Sequence, residues 1–393
     1  MKRLYWKARK IPFRSVLAVC VVTLASVAAV EICPRRTPRP GLERKLAAAR
    51  LANEAIHEIK RERLRRGHVF NPAFDPAQTG LIGDDLTPVT SLAGHLGSKQ
   101  TTVNPNFAAV IVEMLMQAGV GPGDTVAVGY SGSMPAMNLN LCAALETIGA
   151  KPIVVVSASS SQYGANHPEF LWIDMQRHLH DRGLISFRSV AASFGGYEDL
   201  ALGATEEARG LLAASIRRNG LPLIVHESFT EAVDQRMAIY REHAGSRPIK
   251  AYVNVGGGTV SVGRSVGKKL YQPGLNLTAT DEAMGLDSVM TRFMREGTPV
   301  IHLVEISHLA RTYGLPYAPT ELPAVGEGDV YRDTGPNRWL AGVGLLLVAT
   351  MLRLGSREGE SHKPSKPRGG GPGRVPTPHL LMPRTRLPYY DGS

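Results

Sequence analysis

Serine and glycine residues crowd a short segment of the chain whose groups could bind an anion. The segment Gly129-Tyr130-Ser131-Gly132-Ser133 lies between an apolar strand pattern and a helical pattern. Glycines permit a tight turn, hydroxyl groups donate hydrogen bonds, and the amino end of a helix presents free N–H groups with positive potential. Gly129, Ser131, Gly132 and Ser133 are therefore candidate binding residues for a phosphate or a carboxylate. A tight turn with a serine N-cap is the alternative interpretation.

Two further polar segments follow other strand patterns and could complete the same pocket. One is residues 157–167, SASSSQYGANH, in which Ser159 and Ser160 are the candidate binding hydroxyls. The other is residues 254–259, NVGGGT, whose glycines predict close backbone approach to a ligand. The candidate binding residues of this second segment are Gly256, Gly257, Gly258 and Thr259.

A third polar cluster precedes the helical pattern at residues 107–118. Lys99 and Asn104 are candidate ligand-binding residues there, and helix N-capping is the alternative. Ser131 and Thr259 are the candidate nucleophiles if the chain is catalytic. Neither has a general base at a fixed spacing, and Ser133 stands where a G-x-S-x-G nucleophile elbow requires glycine. We therefore prefer binding over catalysis and leave the catalytic residues unassigned.

Histidine and cysteine spacings do not predict a metal site. His178 and His180 are two residues apart, whereas a helical metal site needs histidines four residues apart. The chain has three cysteines, which form no C-x-x-C pair and no disulfide framework. We expect no metal ion and no cofactor.

Runs rich in β-branched residues alternate with helical patterns through the middle of the chain. This alternation predicts an α/β fold with a mainly parallel sheet and helices on both faces. The predicted strands are Thr125–Val128, Pro152–Val156, Pro222–Val225, Ile249–Val255 and Pro299–Val304. The predicted helices are Phe107–Ala118, Pro135–Ile148, Glu169–Asp181, Ala204–Arg218, Glu231–His243 and Glu282–Glu296. In such sheets ligands bind at the carboxyl ends of the strands, where the Ser/Gly loops lie.

The α/β domain is predicted at residues 70–337, as one body or two lobes. Residues 41–67 precede it and carry apolar side chains at near-helical spacing, with Gly67 as a stop. They predict an amphipathic stalk helix whose charges form a solvated face.

Basic residues are concentrated at both ends of the chain. Residues 1–40 hold nine Lys and Arg against one acid, and residues 353–393 hold eight against three, which leaves −2 of the total +11 on residues 41–352. A nucleic-acid-binding protein should carry its basic residues on the folded domain. We therefore expect no nucleic-acid partner and, because the basic ends adjoin apolar runs, contact with membrane lipid.

Two apolar runs adjoin these basic ends. Residues 15–32 predict a transmembrane anchor after a basic cytoplasmic N-terminus at residues 1–14, and a cleaved signal peptide is the alternative. Residues 339–354 predict either a second transmembrane helix or a packed terminal helix. Residues 355–393, rich in Pro, Gly, Lys and Arg, predict a disordered basic tail. Both interpretations of the first run place the α/β domain outside the cytoplasm.

Four segments of the chain together resemble the poly-gamma-glutamate system protein family. They are GLIGDDLTPVTSLAGHLGSKQTTVNPNFAAV at residues 80–110, VAVGYSGSMPAMNLNLCAALETIGAKPIVVVSAS at residues 126–159, NVGGGTVSVG at residues 254–263 and HLARTYGLPYAP at residues 308–319. The resemblance implies a bacterial membrane protein that works beside the ligase and membrane subunits that make and export poly-γ-glutamate. It implies no catalytic residues, and it does not address the basic tail.

The sequence thus predicts an accessory component of poly-γ-glutamate biosynthesis or export at the bacterial cell surface. Its expected partners are the synthase and export subunits, membrane lipid, and polyglutamate or a small anion bound by the Ser/Gly loops. One alternative is a hydrolase or transferase that acts on γ-glutamyl amide bonds. Another is a phosphosugar- or nucleotide-binding enzyme, because the strand, Ser/Gly loop and helix at residues 125–148, with the segment GAKPIVVVSASSS at residues 149–161, also resemble one unit of the sugar-isomerase fold.

Overall fold

A computed structural model describes residues 13–361, with side chains to residue 356. These residues form two compact units, an apolar unit from the two ends of the chain and an α/β unit at Arg35–Gly335. The helices are α1 (Phe13–Ile32), α2 (Leu42–Arg65), α3 (Leu96–Thr102), α4 (Phe107–Gln117), α5 (Pro135–Ile148), α6 (Trp172–Asp181), α7 (Glu206–Arg218), α8 (Phe229–Ala244), α9 (Thr259–Val262), α10 (Arg264–Gly267), α11 (Asp281–Gly285), α12 (Val289–Arg295), α13 (Ile306–Thr312) and α14 (Arg338–Ser361), with a 3-10 turn at Tyr197–Asp199. The strands are β1 (Arg35–Pro38), β2 (Thr125–Ser131), β3 (Lys151–Ser157), β4 (Ala191–Ser193), β5 (Ile249–Val255), β6 (Gly274–Asn276), β7 (Val300–Leu303) and β8 (Arg332–Gly335).

A six-stranded sheet in the order β4-β3-β2-β5-β7-β6 forms the centre of the α/β unit. The first five strands of that order are parallel, and β6 runs antiparallel to β7. The central strands are apolar on both faces because helices cover both sides of the sheet. Val126 and Val128 pack into the core that contains α2, α4 and α5, whereas Ala127 packs into the core that contains α8 and α12. The predicted α/β fold is confirmed.

Two predicted elements near the sheet are wrong in detail. Residues 222–225, predicted as a strand, contribute only an isolated bridge from Leu223 to Ala192, and the edge strand is β4 instead. The predicted helix at residues 282–296 is divided into α11 and α12. The division occurs because Ser288 caps the second helix by accepting a hydrogen bond from the Thr291 N–H. Strand β6 was not predicted, since three residues make too short a pattern.

Helix α2 is part of the core, whereas the sequence predicted an amphipathic stalk with solvated charges. It packs against α4 and α5 through Ala48, Ala49 and Ala52, which are fully buried. Small side chains at this spacing let the helices approach closely. Lys45 on the same helix is also fully buried, where it donates to the Val330 carbonyl at 2.9 Å and pairs with Glu113. The helix therefore holds the start and end of the unit together.

A two-stranded antiparallel ribbon joins the first and last segments of the α/β unit. Strands β1 and β8 pair from Arg35 opposite Gly335 to Pro38 opposite Arg332. The sequence did not predict this ribbon, because its four-residue strands are polar and exposed.

The apolar unit consists of α1 and α14, which pack against each other. Each is long and apolar enough to cross a membrane, and no residue of α1 is buried. The 20 residues of α1 span about 30 Å, the thickness of a bilayer core. A signal sequence near the N-terminus meets the same criterion, so α1 has the length and composition of either a signal anchor or a signal peptide.

The boundaries of the terminal segments differ from those predicted. Helix α14 contains the predicted segment 339–354 and continues to Ser361, so residues 355–361 are helical and not part of a disordered tail. The remainder of the predicted tail and residues 1–12 of the predicted cytoplasmic N-terminus lie outside the described residues.

Candidate functional site

The strands that follow β2 along the chain lie on one side of it in the sheet, whereas β5 and the strands after it lie on the other side. From β2 the chain passes through α5 to β3 and then to β4 on one side, whereas β5 and β7 lie on the other side. The loops that leave β2 and β5 therefore diverge, and such a switch point is where open α/β sheets bind ligands. A cleft of about 610 Å³ lies there, within the size range of small-ligand sites.

Hydroxyl groups form much of the lining of this switch-point cleft. The serine and threonine residues that line it are Ser91, Ser98, Ser131, Ser133, Ser157, Ser159, Ser161, Thr259, Ser261 and Ser307. Lys99, Lys268, His95, Arg236, Asp199 and Glu305 supply its titratable groups. A second concavity of about 500 Å³ lies at the amino ends of β5 and β7, away from the Ser/Gly loops.

The cleft brings together most of the binding residues that the sequence predicted. Those that line it are Lys99, Ser131, Ser133, Ser159, Gly256, Gly257, Gly258 and Thr259. Three others support the lining from behind. Gly129 lies under Tyr252, because a Cβ added to Gly129 would be 2.3 Å from the tyrosine hydroxyl oxygen. Gly132 packs against the Ser159 carbonyl. The buried Ser160 donates its hydroxyl hydrogen to the Gly132 carbonyl at 3.0 Å. Asn104 is fully buried outside the cleft and accepts a hydrogen bond from Asn106.

The loops after β2 and β3 are tied to each other at the cleft wall. The Ser161 N–H donates to Ser133 Oγ at 3.0 Å, and the Ala165 N–H donates to the Gly132 carbonyl at 2.8 Å. The approach is close at Gly164, where an added Cβ would lie 2.7 Å from the Gly132 carbonyl oxygen. These contacts hold the two loops together and position the Ser133 hydroxyl.

Lys99 on α3 reaches the same wall and is only 2 % exposed. Its Nζ donates to the Ser133 carbonyl and lies 2.8 Å from Ser161 Oγ. Among residues 13–361 no carboxylate forms an ion pair with it. Because burial penalises the ammonium form, the pKa of Lys99 is lowered to about 7.

The glycine loop after β5 forms the opposite wall. Gly256 has φ 83°, a conformation that favours glycine. Within the described part of the chain, the N–H groups of Gly257 and Gly258 donate to no other group. The Lys268 ammonium lies beside Gly257, 3.3 Å from the position of an added Cβ. This wall therefore offers free donors and one positive charge to a ligand.

A buried ion pair forms the floor of the cleft. Asp199 from the 3-10 turn pairs with Arg236 from α8, and the Ser193 and Ser157 hydroxyls hydrogen-bond to the same carboxylate at 2.7 and 3.0 Å. The Asp199 carboxylate is thus hydrogen-bonded by Arg236 and by two hydroxyls, whereas the buried Arg236 Nε has no hydrogen-bond partner among the described residues. The floor is rigid and contributes little net charge.

Several lining residues were missed by the sequence analysis. Glu305 follows β7 and has φ 48°, a strained value for a residue with a side chain, and Lys268 lies nine residues beyond the predicted loop residue Thr259. Glu305 could have been predicted from the sequence, because it follows a parallel strand and ligands bind at the carboxyl ends of such strands. Lys268 and Arg236 have no such signal, because α10 and α8 bring them to the cleft through tertiary packing.

The described residues 13–361 contain no cluster of three or more His, Cys, Asp or Glu side chains that could hold a metal ion. Comparison of the chain with protein-family models, with curated proteins and with solved structures finds no match.

Proposed function

We propose that this chain is a membrane-anchored accessory component of poly-γ-glutamate biosynthesis or export, and that its cleft binds the carboxylates of the polymer. One observation carries the proposal: the hydroxyl-lined cleft at the switch point has free backbone donors and the exposed Lys268 on one wall. Carboxylates accept hydrogen bonds and pair with ammonium groups. A site of this kind suits a chain of γ-linked glutamate residues, each with one free carboxylate.

The balance of charge in the cleft suits reversible binding. Lys268 is exposed at one wall, the Arg236 charge is neutralised by Asp199, and Glu305 adds a carboxylate to the lining. Residues 41–352 carry a net charge of −2, so long-range attraction of a polyanion is weak. Affinity would then come from local donors, which allows a polymer in transit to be released.

The two apolar helices support the membrane part of the proposal. If both α1 and α14 span, the α/β unit between them lies on one side of the membrane and the two basic ends lie on the other. Because basic flanks remain cytoplasmic, the α/β unit would face outward. The cleft would then meet the polymer as it leaves the cell.

The test is binding of oligo-γ-glutamate to the full chain in lipid nanodiscs, measured by calorimetry. Lys268→Met and the pair Ser131→Ala with Ser133→Ala should each weaken binding, by about tenfold or more for the lysine. Lys250→Met, at the amino end of β5, is the matched control and should bind normally. Equal affinity of all these variants for the oligomer would refute the cleft as the binding site.

A further inference from the structure

One pair of side chains in the cleft has the geometry of a nucleophile and its base. Lys99 Nζ lies 2.8 Å from Ser161 Oγ, and its other partner is the Ser133 carbonyl oxygen. A neutral amine donates two hydrogens and accepts one through its lone pair. The carbonyl takes a donated hydrogen, and the Ser161 hydroxyl can direct its own hydrogen at the lone pair. A hydroxyl oriented in this way is prepared for deprotonation.

The surroundings of Lys99 favour its neutral form. The side chain is 2 % exposed, and no carboxylate among residues 13–361 pairs with it. Burial lowers the pKa of Lys99 to about 7, so a large fraction is unprotonated at neutral pH. A base with a pKa near the working pH is the most effective kind of general base. Exposed lysines such as Lys268 have no such environment.

Ser161 is held in place while its hydroxyl stays at the cleft. Its N–H donates to Ser133 Oγ at 3.0 Å, and its carbonyl shares the Ser160 hydroxyl hydrogen with the Gly132 carbonyl, at 2.8 Å from Ser160 Oγ. The nucleophile candidates from the sequence lack a base of this kind. Ser131 Oγ accepts from the Ser133 N–H at 3.3 Å, and Thr259 Oγ1 has no hydrogen-bond partner within the described residues.

We propose that Ser161 is the nucleophile and Lys99 the general base of an acyl-transfer site that cleaves γ-glutamyl amide bonds. The proposal rests on the proposed function, because it assumes that the cleft receives a γ-glutamyl chain. The cleft would then not only bind the polymer but also shorten or release it. Serine–lysine pairs are an established variant of the nucleophile–base arrangement.

The reaction proceeds through two balanced half-reactions. Ser161 Oγ attacks the γ-carbonyl carbon as its proton passes to Lys99 Nζ, and the C–N bond breaks as Lys99 gives that proton to the leaving amine. A γ-glutamyl ester of Ser161 results. Water then attacks the ester and gives a proton to Lys99, and the bond to Oγ breaks as Lys99 returns the proton to Ser161. Water is the co-reactant, and the products are an amine and a carboxylic acid.

The test uses the full chain in nanodiscs with γ-glutamyl-p-nitroanilide and with oligo-γ-glutamate. Ser161→Ala and Lys99→Met should each lower kcat/KM by about 10²- to 10⁴-fold, and wild-type kcat/KM should rise as pH increases through about 7. Ser265→Ala and Lys250→Met, exposed residues outside the cleft, are the controls and should leave the rate unchanged. Lys99→Arg should be as slow as Lys99→Met, because arginine does not act as a base. If Lys99 only held two loops together, arginine could replace it and the variant would keep its activity.

Two measurements keep the inference separate from folding and from binding. A fluorophosphonate should label the wild-type chain at Ser161, which requires no variant to fold. Turnover by Ser161→Ala, or a wild type that neither turns over nor is labelled, would overturn the inference. If that inactive wild type still binds oligo-γ-glutamate, the proposed binding function stands alone, and if it does not bind, both proposals fail.

Discussion

Asp199 and Arg236 form an ion pair beneath the cleft in which both side chains are about 95 % buried. Burial by itself raises the pKa of Asp199, but the Arg236 charge and the hydrogen bonds from Ser193 and Ser157 outweigh it, and the pKa is lowered. The pair links the turn after β4 to helix α8. It thereby ties together two segments that border the cleft.

Asp199→Ala should destabilise the α/β unit by about 3–5 kcal/mol, because it leaves the Arg236 guanidinium buried without its partner. Adding Arg236→Met should recover much of that loss. Glu198→Ala is the matched control, since Glu198 pairs with the half-exposed Arg264 and its loss should cost about 1 kcal/mol or less. Urea unfolding measures the stability of all three variants, and equal losses for substitutions at residues 198 and 199 would contradict the assignment.

The ion pair should also make stability depend on pH. Because the folded pKa of Asp199 is depressed, its contribution to stability is present above the ordinary aspartate pKa and is lost as pH falls through the folded value.

Lys99 should make stability depend on pH in the opposite range. Its pKa falls from 10.5 to about 7 on folding, so between these values the unfolded chain binds more protons than the folded chain. Stability should therefore rise as pH increases from 7 towards 10, by up to about 4 kcal/mol. Urea unfolding of Lys99→Met should lack this rise, and the Lys250→Met control should keep it. Parallel pH curves for wild type and Lys99→Met would show that Lys99 is charged in the folded chain.

Gly164 allows the loops after β2 and β3 to touch. Gly164→Ala should destabilise the unit by about 1–3 kcal/mol and weaken ligand binding, since the new methyl group would lie 2.2 Å from Ser160 Oγ and 2.7 Å from the Gly132 carbonyl oxygen. Gly210→Ala is the control, because nothing lies within 4 Å of that position in α7. It should raise stability by up to about 1 kcal/mol. Similar unfolding midpoints for the two variants would exclude the close loop contact.

Helices α1 and α14 should be close enough for a disulfide between residues 26 and 344. An added Cβ at Gly344 would lie 2.7 Å from Ser26 Cβ, whereas nothing lies within 4 Å of Gly342. In a chain without its three native cysteines, Ser26→Cys with Gly344→Cys should crosslink in membranes under mild oxidation. Ser26→Cys with Gly342→Cys should not crosslink, because residue 342 faces away. The extent of crosslinking is read from gel mobility, and no difference between the pairs would refute the observed packing.

The sequence predicted those parts of the fold that depend on local pattern. Apolar strands β2, β3 and β5 and the loops after them were recognisable because β-branched runs end in Ser and Gly at the carboxyl edge of a parallel sheet. Helix α2 was misinterpreted because its buried Lys45 and Arg63 look like solvent-facing charges until their partners are known. The partners of Lys45 and Lys99 are remote in sequence, so no spacing rule reveals them. The switch point likewise follows from strand order, which a single sequence does not contain.

The native cysteines can report which side of the membrane the α/β unit occupies. Cys33 is exposed just beyond α1, Cys20 lies within α1, and Cys142 is buried in the α/β unit. If the unit faces outward, a membrane-impermeant maleimide added to intact cells should label the chain. Cys33→Ser should abolish that labelling, because lipid and protein shield the other two thiols.

A Cys33→Ser chain that carries Gly370→Cys in the basic tail should be labelled only after the cells are opened. Labelling at residue 370 and not at residue 33 in intact cells would reverse the topology and place the cleft in the cytoplasm. A chain cleaved after α1 would instead be released from the membrane unless α14 alone retains it, which fractionation of the same cells distinguishes.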